Sequence, residues 1–138
     1  MTHIDIRPTD RPSTGSRTAR ARKVTVLVIK VALAAQFIAG GAGKLLGSEQ
    51  MVTMFDDIGA GQWLRLLVGL LEIAGGIGLL VPRLSGLAAT GLIALMTGAV
   101  VTNVFVLGTP PVMPLIFGVL AGVVAAGRRT QLAALVRR

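Results

Sequence analysis

The stretch from Trp63 to Pro82, WLRLLVGLLEIAGGIGLLVP, constrains this chain more than any other. It is almost wholly apolar and has the length of a membrane-spanning helix, yet it carries a carboxylic acid, Glu72, near its middle. At a rise of about 1.5 Å per residue, Glu72 lies about 13 Å from the Trp63 end and about 15 Å from the Pro82 end. An ionised side chain at that depth costs about 3 kcal/mol or more unless it is paired or protonated, so it is a functional candidate by default. Whatever else the chain does, it must accommodate this acid.

The remaining sequence fits a membrane setting. A chain of 138 residues suggests one domain. Its 53% hydrophobic and 14% charged residues lie outside the range of ordinary soluble domains. The chain has no Cys, which excludes disulfides, Cys nucleophiles and thiolate-bound iron–sulfur or zinc centres. His3, in the polar N-terminal stretch, is its one histidine, so no imidazole is available within the apolar segments as a haem or copper ligand. No metal site is expected, and no cofactor held by protein ligands. Net charge is +8, but the bases gather at the two ends of a hydrophobic chain, as in cytoplasmic flanks of membrane proteins. Nucleic acid is not expected as a partner, because no aromatic residues interleave those bases for stacking.

Read in order, residues 1–23 form a basic tail with Pro8, Pro12 and Gly15 and no helical periodicity, expected to be disordered. Basic tail, apolar run and small residues from Ala39 to Gly43 also follow the order of a signal peptide, although the run is longer than a signal core and contains Lys30. The expected fold is all-α: a four-transmembrane-helix antiparallel bundle over residues 24–127, with spans at about 24–46, 63–82, 85–107 and 112–127. A short amphipathic helix is expected between the first two. There Met51, Met54, Phe55 and Ile58 recur at i, i+3, i+4, i+7, Ser48 is a candidate N-cap and Gly59 a natural stop. Asp56 and Asp57 fall on its polar side and read as a solvated face. Residues 128–138 form a second basic tail.

Orientation follows from the bases. Six lie in the amino tail, one (Arg83) in the turn after the second span and four in the carboxyl tail, against Lys44 and Arg65 on the other side. This places both termini in the cytoplasm of a multi-pass cell-membrane protein. In the first span, Lys30, Ala34, Phe37, Gly41 and Lys44 lie within about 40° of one direction. By depth, Gln36 and Thr97 fall near the level of Glu72, and Lys44 and Asn103 lie further out. The proposed polar centre is therefore Glu72, Lys44, Lys30, Gln36, Thr97 and Asn103. Helical side chains lean toward their own amino terminus, so Lys44 and Glu72 lean toward each other and pairing between them is favoured over Lys30, which leans away.

Lys30, the apolar run through Ile38, Gly40–Gly41 and Lys44–Leu45, followed in the second span by Glu72, Gly75–Gly76, Gly78–Leu79–Leu80 and Pro82–Arg83, resemble the DoxX-like family of four-helix membrane proteins. Lys30 stands where that family more often has Arg. The resemblance implies an integral membrane protein, some of whose relatives are associated with quinone-linked sulfur oxidation or membrane redox complexes. With no thiol or metal chemistry of its own, the chain reads as an accessory subunit, not an enzyme alone, with quinone contact as a further expectation. The alternatives are a structural or assembly factor and a small proton-coupled transporter using Glu72. The lipid bilayer, membrane or redox proteins and further copies of the chain, packed through small-residue helix faces, are the expected partners.

Overall fold

The structure is a computed structural model and describes residues 14–137. Its first helix, α1, runs Thr14–Leu46 and starts ten residues before the apolar run. Residues 14–23 are thus helical where a disordered tail is expected; residues 1–13 of that tail lie outside the described residues. The physical reason is propagation. Arg17, Ala19, Arg20, Ala21, Arg22 and Lys23 are good helix formers, and extending an existing helix needs no new nucleus.

A short helix, α2 (Glu49–Ile58), follows a tight turn at Gly47, whose φ is 71°. It buries Phe55, half-buries Met51, Met54 and Ile58, and exposes Asp56 and Asp57. Gly59 ends it in the left-handed conformation, donating its N–H to the carbonyls of Phe55 and Asp56. Ser48 occupies the N-cap position, but its hydroxyl makes no capping hydrogen bond; its carbonyl instead accepts from Met51 and Val52.

The third helix, α3, runs Gln62–Leu80 and stops two residues before Pro82, earlier than the sequence expectation, because a proline disfavours helical geometry in the residue before it. Next come α4 (Ser85–Thr102) and, without a break, a π-helical turn from Asn103 to Leu107. Gly108 at φ 60° closes this turn, with the Thr109 N–H bonded to the Asn103 carbonyl at 2.8 Å. The last two helices are α5 (Val112–Gly127) and α6 (Arg129–Val136). No strand occurs among the described residues.

Helix α1 packs on α3, α3 on α4, α4 on α5, and α5 returns to α1. The α1–α3 seam is a backbone-to-backbone contact. A Cβ on Gly41 would lie 2.6 Å from the Gly69 carbonyl oxygen, and one on Gly76 would lie 3.0 Å from the Ala34 carbonyl oxygen. Position 41 meets 69 while 34 meets 76, so the two helices are antiparallel. The α3–α4 seam is also close: Gly75 abuts Leu92 and Gly78 abuts Ala88. Between the helices sit Leu33, Ala34, Phe37, Leu79, Ala89, Leu92, Met96, Ala121 and Val124. Phe37 tilts against Phe117 at 5.8 Å between ring centroids, joining α1 to α5.

The outside of the molecule is as greasy as the inside. Val28 is 61% exposed, Leu70 57% and Val119 66%, and large aliphatic side chains cover the outer faces of α1, α3, α4 and α5. Water would not tolerate a continuous apolar surface of this kind, whereas lipid solvates it. Three helices, Thr14–Leu46, Gln62–Leu80 and Ser85–Leu107, have the length and hydropathy to cross a membrane, and Val112–Gly127 is shorter but equally apolar. The chain is a membrane protein with transmembrane helices.

Candidate functional site

Arg65, Gly69, Glu72 and Gly76 are spaced by four, three and four residues, so they form one stripe along α3. The stripe faces α1. Its glycines let the two backbones touch, and that closeness brings the acid within reach of α1. Lys44 Nζ donates to Glu72 Oε2 at 2.9 Å, with the lysine side chain 12% exposed and the glutamate 8%. Lys44 lies in the last turn of α1, where the partial negative charge of the helix end also favours a cation. Two opposite charges so placed neutralise one another, while each alone would be a costly buried ion. Gly40 leaves room beside them: a Cβ there would sit 3.5 Å from Glu72 Oε2.

Arg65 completes the site. Its Nη1 donates to the Lys44 carbonyl, one of the carbonyls that the end of α1 leaves without a helical partner. Its Nε donates to Gln62 Oε1 at 2.6 Å. Gln62 in turn donates from Nε2 to Asp56 Oδ1 at 2.6 Å and to the Val52 carbonyl at 3.1 Å. A continuous polar chain therefore runs from α2 through the start of α3 to the end of α1 and its ion pair. Sequence reasoning counted Arg65 only as a topology charge. The signal was present: Arg65 lies two helical turns before Glu72 and so on the same face of α3.

The other expected members of the polar centre are not brought to it. Gln36 is exposed, one residue away from the buried Phe37, and so about 100° around α1 from the core. Thr97 is likewise exposed beside the buried Met96 and returns its hydroxyl to the Ile93 carbonyl at 2.8 Å. Equal depth does not mean equal azimuth, and both side chains point out of the bundle. Asn103 opens the π turn and lines a cleft of about 640 Å³ under α2 with Glu49, Thr53, Asp57 and Thr109. Lys30 is buried, 6% exposed, but near the middle of α1, about four turns before Lys44, in a cleft with Arg22, Lys23 and Arg128. It makes no salt bridge to an acid among the described residues. No group of three or more His, Cys, Asp or Glu suited to a metal ion occurs among the described residues.

The small residues also divide. Gly41, Gly69, Gly75, Gly76 and Gly78 sit at helix contacts, whereas a Cβ on Gly91, Gly98 or Gly122 would meet nothing within 4 Å. The Gly118–Gly122 pair, a small-xxx-small motif by sequence, meets α4 only at Gly118, whose Cβ would lie 3.4 Å from that of Met96.

Comparison with known proteins adds one positive result. No curated protein and no solved structure matches the chain significantly. The sequence model of the DoxX-like family matches residues 28–126, which takes in most of the apolar part of α1, the ion pair and all of α2, α3 and α4. By that match, over more than half of its length, this membrane protein belongs to the DoxX-like family.

Proposed function

We propose that the chain is an accessory subunit of a membrane assembly, in which Lys44 and Glu72 hold α1 and α3 in register and do not act on a substrate. In this reading α1, α3, α4 and α5 all cross the bilayer as an antiparallel bundle. Both termini lie in the cytoplasm, and α2 lies at the outer surface with Asp56 and Asp57 in water. The base count on the two sides supports that orientation.

One observation carries the proposal: the buried acid has its counter-charge 2.9 Å away, and Arg65 and Gln62 tie that end of the bundle together. A proton-coupled carrier needs an acid that gains and loses a proton at a site its substrate reaches. Here the acid is already compensated, and the two clefts described above are lined by other residues. A register role for buried ion pairs is the use best supported in other systems. Redox or quinone-linked partners enter through the family resemblance, and quinone would bind by apolar contact and not through protein ligands.

Purification in a mild detergent, with identification of co-purifying proteins and extraction of bound quinone, tests this. The expected result is a defined membrane partner that is lost from Glu72→Gln preparations. Proton-coupled uptake by the purified chain alone in vesicles, abolished by Glu72→Gln, would overturn it.

A further inference from the structure

The cytoplasmic half of α1 carries a cleft that the reading above does not use. It has a volume of about 550 Å³ and opens between α1 and the α5–α6 junction. Its polar lining is entirely cationic: Arg22, Lys23 and Lys30 from α1 and Arg128 after α5. Its apolar wall comes from Val26 and Leu27, the latter 57% exposed on the outer face. The chain's own acids are engaged or placed elsewhere among the described residues. Glu72 pairs with Lys44, Asp56 accepts from Gln62, and Glu49 and Asp57 line the cleft under α2.

Lys30 distinguishes this cleft from a solvated basic rim. It is more than nine-tenths buried, no side-chain hydrogen bond or salt bridge is made by it within the described residues, and it shares the cleft with Arg128. Snorkelling to water would leave such a side chain exposed, and this one is not. Burying one cation beside another is unfavourable unless an anion joins them. The spacing of the bases also fits a ligand. Arg22, Lys23 and Lys30 span two turns of one helix, so they reach one anion from above and from below.

We propose that this cleft binds the headgroup of an anionic phospholipid of the cytoplasmic leaflet, with the phosphate held by Lys30 and Arg128. Arg22 and Lys23 sit toward the headgroup's outer edge, Val26 and Leu27 on the turn between them and Lys30 pack against its carbon atoms, and the acyl chains run on past Lys30 toward the bilayer centre. A free phosphate would use the bases but not the aliphatic wall, which is why a lipid is the occupant. Basic pockets between transmembrane helices on this side are known to suit such headgroups.

The test uses the full chain in dodecyl maltoside. Its thermal unfolding midpoint is followed while phosphatidylglycerol, phosphatidylcholine or inorganic phosphate is added, and bound lipid is counted by native mass spectrometry. Phosphatidylglycerol raises the midpoint and stays bound; phosphatidylcholine and inorganic phosphate do neither. The half-saturating phosphatidylglycerol concentration rises about fivefold in Lys30→Met and again in Lys30→Met/Arg128→Gln, while Lys30→Arg and Arg83→Gln behave as wild type. Arg128→Gln alone, a partly exposed position, gives the same direction of change independently of any folding defect at Lys30. An equal response to phosphatidylcholine or inorganic phosphate would overturn the lipid assignment, as would an undiminished response in the double variant. So would a response that appears only in Asp5→Asn/Asp10→Asn, which would put the chain's own acids in the cleft.

Discussion

Two lysines on one helix, about 21 Å apart along its axis, meet opposite fates. Lys44 ends α1 against an acid, inside a hydrogen-bonded network that reaches α2. Lys30 is more deeply buried and faces other cations. The difference is set by the neighbour. At Lys44 the neighbour is α3, drawn close by Gly41 and Gly69 and carrying Glu72. At Lys30 the neighbour is the end of α5, which supplies Arg128. The same residue type is thus internally neutralised at one end of the bundle and left for an outside anion at the other.

Changes at the two ends should therefore have opposite signs. The largest effect is expected from Glu72→Ala, which leaves Lys44 unpaired within the bundle: a loss of about 3 kcal/mol, read as thermal unfolding in detergent. Gly41→Val follows at about 2 kcal/mol, because its side chain must displace the Gly69 carbonyl, and helix separation should appear in the same melt. Lys30→Met should raise stability in lipid-free detergent by about 1 kcal/mol, because it removes a buried unpaired charge. A fall of that size would show that Lys30 has a counter-charge within the chain. Arg65→Gln should cost about 1 kcal/mol through loss of its bond to the end of α1, with faster amide exchange in α2 and at Gly47. Smallest is Gly40→Ala, expected within about 0.5 kcal/mol of wild type: its methyl fits at 3.5 Å from Glu72 and helix propensity offsets any crowding.

How far the sequence foretold this depends on the kind of information each feature needs. The helical segments follow from hydropathy and from turn residues such as Gly59 and Gly108, whose local conformations the structure shows to be left-handed. Lys44 rather than Lys30 as the nearer partner of Glu72 followed from the lean of helical side chains and the antiparallel run of neighbours. Depth alone misplaces Gln36 and Thr97: Gln36 lies about 100° around α1 from Phe37 and so off the face shared with Lys30 and Lys44, and Thr97 is likewise one residue from a buried neighbour. The extension of α1 to Thr14 was hidden by polarity, since a helix without an apolar face has no periodicity to read. The cationic cleft depends on α5 packing beside α1, a tertiary fact that no local pattern encodes.

A double-mutant cycle on Lys44→Met and Glu72→Gln, scored by unfolding in one detergent, tests the central claim most directly. If the pair fixes α1 to α3, each single change is costly, the double variant recovers much of the loss, and the coupling is about 2 kcal/mol. Single effects that add to within about 0.5 kcal/mol would mean that the two charges do not meet, and would contradict the account.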